Sequence, residues 1–429
     1  MPKKVLILTY YWPPSGGSGV QRWAYFAKYL KEIGECEPIV VTVHPSSASY
    51  PVIDESLKEL TKGIRVIQTK SFDLLRLYAS LKGGESTENI PQGSVGDSSK
   101  KSFFDRISLY IRANFFIPDA RIGWNKYALK AAQKLINEED IKLVITTGPP
   151  HSTHLTGLQL KQENKIQWIA DFRDPWREVY YNEIFKRTKR ADQKDIDLEK
   201  QVLENADVVT TVGPSLKELL ANKIKGDHDK VKVFYNGFDD ELLNKVEKEQ
   251  LSTFTIAQIG VFSAKQPYEA YLEFLKSLSK VISFNLELAG NIEAFILEEI
   301  RKIKGVSLKH HGKVSHAKAI SIMKSAHLLT NCLPSTKEAK LIISGKLMEY
   351  ISTGNPIMVI GDKNGDAGKL IREAKAGKVF AANEIQEMVN FALLSKNNMG
   401  NQYTEHFPSQ YTRENISKDL SHFLCGLFS

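Results

Sequence analysis

Two successive series of short apolar runs, each alternating with segments of helical periodicity, most constrain what this chain can fold into. In the first series, segments 19–33 and 127–138 repeat apolar residues at three- to four-residue intervals, which predicts helices. Several of the runs between the helices are apolar throughout, as is typical of a parallel sheet covered on both faces. This alternation predicts a doubly wound α/β domain. Its predicted strands cover residues 5–9, 38–43, 64–68, 143–147, 168–171 and 208–212.

The second series repeats this pattern and predicts a second doubly wound domain of similar size. Its predicted strands are 255–259, 285–289, 306–310, 328–331, 357–360 and 377–380, and its predicted helices are 267–281, 292–302, 315–325, 346–352 and 366–374. Residues 231–238 look like the passage between the domains, with a turn at Asn236-Gly237. We therefore expect two Rossmann-like domains, 1–235 and 236–408, facing each other across a cleft. Ligands should bind at the carboxyl ends of the strands.

The composition is that of a globular protein in a reducing compartment. The chain has 429 residues, of which 42% are hydrophobic and 25% charged, which suits two domains with ordinary cores. Its three cysteines, Cys36, Cys332 and Cys425, lie far apart and fit no metal spacing, so we expect free thiols and a cytoplasmic location. No stretch approaches the roughly 20 apolar residues that span a bilayer.

The net charge of +8 favours negatively charged surfaces as partners. Nucleic acid is not expected, because no Lys/Arg-rich block carries interleaved aromatic residues. The polar segment 83–101 predicts a mobile loop, and the apolar stripe that follows within 103–116 is flanked by basic residues. This stripe predicts a basic amphipathic helix, which either lies on an anionic membrane surface or packs on its own domain.

Segment 344–357 carries the strongest site pattern. Ser344 and Gly345 precede a short helix whose N-terminal amides suit a phosphate, and Lys346 adds a positive charge there. Glu349 stands three residues later on the same face and can accept two hydrogen bonds from a vicinal diol such as a ribose. Together these residues describe a nucleotide-sugar site. The alternative is an ion pair between Lys346 and Glu349 on an ordinary surface helix.

A second candidate phosphate site follows the first strand of the second series. Gly260 opens a turn that carries Lys265 and leads into a helix. A lysine at this place either binds a phosphate or is solvated.

The first series offers a glycine-rich loop with Gly16 and Gly17 between its first strand and first helix. The glycines let the backbone approach a ligand closely. A dinucleotide fingerprint is disfavoured, because Arg22 stands where the third glycine belongs and the second strand ends without an acid. We expect an anion-binding or acceptor-facing loop, with a plain strand-to-helix turn as the alternative.

Polar residues also follow two later strands of the first series. His151 comes after one strand and is either a ligand of a sugar hydroxyl or a capping residue. Asp171 and Asp174 follow the next strand; they either bind acceptor hydroxyls or pair with Arg173 as part of the structure. Their spacing fits no metal motif, so no metal is expected.

Taken together, these motifs resemble the retaining nucleotide-sugar glycosyltransferases of family 4, which have the GT-B fold. The resemblance covers essentially the whole chain. Residues 147–151 and 171–176 resemble a bacterial branch that builds surface polysaccharides, and residues 236–239 resemble the passage into the second domain. Residues 345–350 followed by 354–357 are the most specific match. Segment 409–429 resembles the helix that crosses back to the N-terminal domain.

The resemblance implies a role for each matched residue. Glu349 would hold the donor ribose, Lys265 would bind the donor phosphate, and the loop with Gly16 and Gly17 would face the acceptor and the donor phosphate. The implied donor-binding set is Gly17, Gly260, Lys265, Ser344, Gly345, Lys346 and Glu349; the implied acceptor-binding set is Gly16, His151, Asp171 and Arg173. His151, Lys265 and Glu349 would serve catalysis, without a metal or other cofactor. One position departs from the family, which often has a second Glu eight residues before the ribose Glu: here it is Leu341.

The expected activity is transfer of a sugar, with retention, from a nucleotide-sugar donor to a glycan or lipid-linked glycan in cell-surface polysaccharide synthesis. The expected location is the cytoplasm, at the inner face of the cell membrane. Two alternatives stay open: a nucleotide-sugar epimerase of similar fold, and a silent nucleotide-sugar-binding module, which the departure at Leu341 favours.

Overall fold

A computed structural model describes residues 2–72, 110–178, 186–334, 336–399, 403 and 409–428. The chain forms two compact units: Met1–Tyr235 with Ser417–Ser429, and Asn236–Ile416. The predicted loop at 83–101 and most of the basic stripe after it lie outside the described residues.

The first unit is built on a seven-stranded parallel sheet of order β3-β2-β1-β4-β5-β6-β7. Buried β-branched and aliphatic residues fill its central strands, because helices cover both faces of a parallel sheet. Its strands, labelled β1 to β7 in chain order, are Lys3–Leu8, Cys36–Val43, Arg65–Thr69, Leu143–Gly148, Gln167–Phe172, Val208–Thr211 and Val231–Val233. Its described helices include Ser18–Ile33, Leu57–Leu60, Asn125–Glu139, Ser152–Glu163, Lys189–Asn205 and Pro214–Ala221.

The strand order of the first sheet reverses beside β1, which pairs with β2 on one side and β4 on the other. Val5 lies opposite Pro38 of β2 and opposite Leu143 of β4. A parallel sheet binds ligands at the carboxyl ends of its strands near such a reversal. The loops after β1, β4 and β5 are therefore the candidates for a site in this unit.

The second unit has a six-stranded parallel sheet of order β10-β9-β8-β11-β12-β13, with its reversal between β8 and β11. Its strands, labelled β8 to β13 in chain order, are Thr255–Ile259, Phe284–Ala289, Val306–His310, Leu328–Cys332, Ile357–Ile360 and Gly377–Phe380. Its described helices are Asp240–Lys245, Tyr268–Ser279, Ala294–Arg301, His316–Ser325, Gly345–Ser352, Asp366–Glu373 and Ile385–Asn397.

Both sheets confirm the predicted fold class of two Rossmann-like α/β domains. Every predicted strand forms, and four of the six in the second sheet have the predicted bounds. One element differs: residues 231–233, interpreted as the passage between domains, form the edge strand β7, with Val231 opposite Val209 of β6. The final helix, Arg413–Gly426, begins in the second unit, and from Ser417 onward the chain belongs to the first.

No helix in the described part of the chain is long and apolar enough to cross a membrane. The described end of the predicted basic stripe is helical over residues 110–115. Phe115 there is 73% exposed and Ile111 43% exposed, whereas Ala113 between them is buried.

Candidate functional site

In the second unit, the site begins where β8 ends. Gly260 has a φ of +103°, which favours glycine. A side chain there would also collide with Lys346, because a Cβ on Gly260 would lie 2.2 Å from the Lys346 Nζ atom. The φ of Gly260 therefore favours glycine in the turn after β8, and a larger residue would also have to displace the end of the Lys346 side chain.

Lys346 and Tyr350 fix the helix Gly345–Ser352 over this turn. Lys346 Nζ donates to the carbonyl of Ile259 at 2.7 Å, and the Ile259 amide donates to the Tyr350 hydroxyl at 2.8 Å. Both backbone groups of the last residue of β8 are thus bound by one helix. Burial lowers the pKa of Lys346, against the opposing charge of Glu349.

Glu349 lies on another side of this helix and is held by a different residue. Its Oε1 atom lies 2.7 Å from His316 Nε2, and its side chain is 18% exposed. This hydrogen bond raises the pKa of His316, against the effect of burial. The alternative ion pair between Lys346 and Glu349 does not form within the described residues, since each side chain has another partner.

The remaining predicted donor residues of the second unit lie on the loop after β8 and at the start of the helix Gly345–Ser352. Ser344 stands at the N-cap position of the helix Gly345–Ser352, but its side chain makes no capping hydrogen bond, contrary to the expectation from its residue type. Gly345 is exposed. Lys265 is exposed on the loop that starts at Gly260, and its amide donates to the Ser263 hydroxyl at 3.4 Å.

In the first unit, Arg173 ties together the loops after β4, β5 and β1. Its Nε atom donates to the Gly148 carbonyl at 3.0 Å, and its Nη2 atom donates to the Pro149 carbonyl. Its guanidinium also lies against the first turn of the helix Ser18–Ile33, where a Cβ on Gly19 would collide with it. Burial lowers the pKa of Arg173.

Asp171 is fully buried and both of its oxygens are bound by the protein. Arg22 donates to it from Nη2 at 2.9 Å and from Nε at 3.3 Å. Trp23 Nε1 donates at 2.6 Å, and the hydroxyls of Thr147 and Thr210 donate at 2.9 and 2.8 Å. Burial alone would raise the pKa of Asp171, but the Arg22 charge and these hydrogen bonds hold it below its usual value. Both oxygens of Asp171 are therefore used to hold the first unit together.

Asp174 presents the more accessible carboxylate of this segment. It is partly buried, and no hydrogen bond is made to its carboxylate within the described part of the chain. Burial raises its pKa, against the charge of Arg173. Asp174 is thus better placed than Asp171 to meet a hydroxyl group.

His151 is buried in an aromatic stack. Its ring lies 5.0 Å from that of Trp176 at an angle of 16°, and its Nε2 atom donates to the Pro175 carbonyl at 3.2 Å. Burial lowers its pKa to about 3, so the ring is neutral. Its Nδ1 atom and His154 Nε2 would lie 2.8 and 2.6 Å from a Cβ on Gly148, which explains the glycine there.

Gly16 and Gly17 form the strand-to-helix turn after β1. The Gly16 amide donates to the Val52 carbonyl at 2.9 Å. Gly17 has a φ of +103° and is the N-cap of the helix Ser18–Ile33. Gly17 belongs to the first unit, while the other predicted donor residues belong to the second.

Sequence reasoning missed three residues that the structure connects to these sites. Arg22 and Trp23 lie on the first helix of the chain, far in sequence from the carboxylate that they bind. His316 begins the helix after β10 and contacts Glu349. The sequence could have indicated His316, because a histidine at the start of the helix after a predicted strand lies at the carboxyl edge of the sheet.

Among the residues that the structure describes, no group of three or more His, Cys, Asp or Glu side chains is arranged to hold a metal ion.

Comparisons with known proteins agree with this fold. Residues 94–242 match the model of Glycosyltransferase Family 4, which covers roughly a third of the chain. No curated protein matches the chain in sequence.

Solved structures match over nearly the complete chain. HepE of Anabaena, in complex with UDP, matches with a TM-score of 0.64 at 14% identity, over 99% of this chain and 100% of that chain. TarM matches with a TM-score of 0.62 at 12% identity, over 100% of this chain and 99% of that chain. The UDP-GlcNAc 2-epimerase of Neisseria meningitidis, bound to UDP-GlcNAc, matches with a TM-score of 0.50 at 13% identity, over 99% of this chain and 100% of that chain.

At these identities the structural likeness establishes the fold, which is the two-domain Rossmann-like GT-B fold.

Proposed function

We propose that this protein transfers a sugar, with retention, from a nucleotide-sugar donor to a glycan or lipid-linked glycan acceptor in the synthesis of a surface polysaccharide. The observation that carries the proposal is the arrangement at the end of β8. There the partly buried Lys346 and the oriented carboxylate of Glu349 lie on one short helix. This helix packs against the turn at Gly260. A lysine and helix amides suit a diphosphate, and a carboxylate suits a ribose diol.

The proposed step needs no metal or other cofactor. The acceptor hydroxyl attacks the anomeric carbon from the face that the nucleotide leaves. The new bond joins that carbon to the acceptor oxygen, and the bond to the donor phosphate breaks. The hydroxyl proton moves to the departing phosphate oxygen. Lys265, Lys346 and the Gly345 amide would stabilise the charge on the leaving diphosphate.

The first unit would bind the acceptor. Asp174 and Arg173 are the side chains that we propose for its hydroxyls and charged groups, with Gly16 and Gly17 forming the adjoining loop. His151 would provide polar support as a neutral ring; its pKa of about 3 makes it too weak a base to take the hydroxyl proton near neutral pH.

A nucleotide panel tests the donor site. We would measure thermal shifts with UDP, GDP, ADP and their common sugar conjugates, on the wild type and on Glu349→Ala. A ligand that binds the folded state raises its melting temperature by mass action. We expect one nucleotide family to stabilise the wild type and to lose most of this effect in Glu349→Ala. Equal shifts in both proteins would contradict the role of Glu349.

Product analysis separates the proposal from its two alternatives. An epimerase would convert the free nucleotide sugar into its epimer without an acceptor, which proton NMR detects directly. A silent module would bind the donor without transfer or hydrolysis. The silent module remains an alternative because Leu341, which is buried and 7% exposed, places no polar group where family 4 often has a second glutamate.

We further propose that the protein works in the cytoplasm against the inner, anionic face of the cell membrane. The net charge of +8 and the exposed Ile111 and Phe115 support this. An Ile111→Ser/Phe115→Ser variant should co-sediment less with anionic vesicles than the wild type. Equal co-sedimentation would exclude a role for this segment.

A further inference from the structure

The contact between His316 and Glu349 joins two parts of the second unit that are distant in sequence. His316 is the first residue of its helix, after Ser315, whose hydroxyl accepts a hydrogen bond from the Lys318 amide at 3.3 Å. From this fixed helix start, the ring reaches Glu349 Oε1 at 2.7 Å. The two side chains are 36% and 18% exposed, so the pair faces solvent only partly.

Only one oxygen of Glu349 is used by the protein in the described part of the chain. Oε1 accepts from His316, while Oε2 has no partner there. A carboxylate oxygen has two lone pairs, so Oε1 can accept a second hydrogen bond. Two neighbouring acceptor sites, one on each oxygen, therefore stay open on a carboxylate whose orientation is already set.

We propose that His316 is a positioning residue that orients Glu349 for the ribose diol of the donor, an inference that rests on the proposed function. A free glutamate side chain loses rotamer freedom when it binds a ligand. A carboxylate held in its binding orientation avoids most of this loss, so affinity rises without any contact between His316 and the nucleotide.

This role does not require titration of His316. A carboxylate only accepts hydrogen bonds, so Nε2 carries the hydrogen in the contact whether the ring is neutral or protonated. The charged and titratable groups that act on the ring are Glu349, Arg413 and Asp239.

The difference in affinity between a nucleotide and its 2′-deoxy form reports on the contact with the ribose 2′-hydroxyl. A general structural role of His316 would not change this difference. We would measure the Kd of UDP and of 2′-deoxy-UDP by calorimetry, or of the corresponding pair with the base that the nucleotide panel selects. In the wild type, loss of a hydrogen bond to a carboxylate should weaken binding about tenfold or more. In Glu349→Ala the two nucleotides should bind equally.

The test variant is His316→Phe, which keeps a ring and removes the donor. We expect UDP to bind several-fold more weakly, 2′-deoxy-UDP to change little, and the ratio of their Kd values to fall towards one. His316→Gln retains a donor and should restore part of the ratio. The matched control is His311→Phe, which removes the donor to Glu287, 3.0 Å away in the same unit, and should keep the wild-type ratio.

Three results would overturn the inference. A His316→Phe protein that keeps the wild-type ratio, because both nucleotides are weakened equally or not at all, would leave the proposed donor site intact and exclude a positioning role. Failure of His316→Gln to differ from His316→Phe in a folded protein would also exclude it. A wild type that binds no nucleotide of the panel would overturn the proposed function and this inference together.

Discussion

Replacing Asp171 by Asn tests whether this carboxylate is part of the structure or part of the acceptor site. The substitution keeps the shape of the side chain and removes its charge. It leaves the guanidinium of Arg22, which is 2% exposed, without its carboxylate partner in the interior. The amide also puts an NH₂ group in place of one carboxylate oxygen, so that this group faces two or three of the five donors that now bind Asp171.

The expected loss of stability follows from this geometry. Breaking a buried ion pair by removing one partner costs about 3–5 kcal/mol, because the remaining charge is buried without compensation. A domain is stable by roughly 5–15 kcal/mol, so Asp171→Asn should remove a large share of the stability of the first unit.

Tryptophan fluorescence can measure this loss in the first unit alone. All five tryptophans of the chain lie in that unit, at positions 12, 23, 124, 168 and 176. With an m-value of about 3 kcal/mol/M in urea, the unfolding midpoint should fall by about 1–2 M. The matched control is Asp174→Asn, which should keep the wild-type midpoint, because no hydrogen bond of the described residues depends on Asp174.

The reasoning would be refuted by an Asp171→Asn protein that loses less than about 1 kcal/mol of stability. If such a protein also failed to transfer sugar, Asp171 would belong to the acceptor site, as the sequence predicted. If Asp174→Asn alone lowered transfer with unchanged stability, the acceptor role proposed for Asp174 would be supported.

Two further predictions concern the two sheets. Gly260→Ala should destabilise the second unit by about 1–3 kcal/mol and weaken nucleotide binding, because the added methyl displaces Lys346. The control is Gly312→Ala, where φ is also positive but a methyl group meets open space. Calorimetry should show a larger loss of stability and of nucleotide affinity for Gly260→Ala than for Gly312→Ala. Glu139 has its pKa lowered to about 2 by hydrogen bonds from Arg65 and a lysine of β1, so its contribution to stability is present above about pH 4.5 and is lost as the pH falls towards 2. After allowance for the half-exposed Arg65, this contribution is about 1–2 kcal/mol. Glu139→Gln should be that much less stable than the wild type at pH 6 and equally stable at pH 2, and a constant difference across this range would contradict the assignment.

The secondary structure could be predicted from the sequence because its signals are local. An apolar run such as 357–360 needs burial on both faces, which a covered parallel sheet provides. The edge strand β7 was missed because it has three residues, and its pairing with β6 depends on the rest of the sheet being in place.

Some features of the candidate site could likewise be predicted from local sequence, and others could not. The types and spacing of Gly345, Lys346 and Glu349 on one helix follow from adjacent letters of the sequence, so the sequence by itself determined that a phosphate and a diol could be bound there. It also determined that glycine follows β8. These features depend on helix geometry and backbone conformation, which are fixed within a few residues.

Only the tertiary structure decided which partner each charged group has. Asp171 is separated by 149 positions from Arg22, and Glu349 by 33 positions from His316. For each carboxylate the sequence left two readings open, ligand binding or an ion pair within the protein. The fold buries the first among five donors and leaves the second with one oxygen open, because electrostatic and hydrogen-bond partners are chosen by distance in space, which packing sets and local sequence does not.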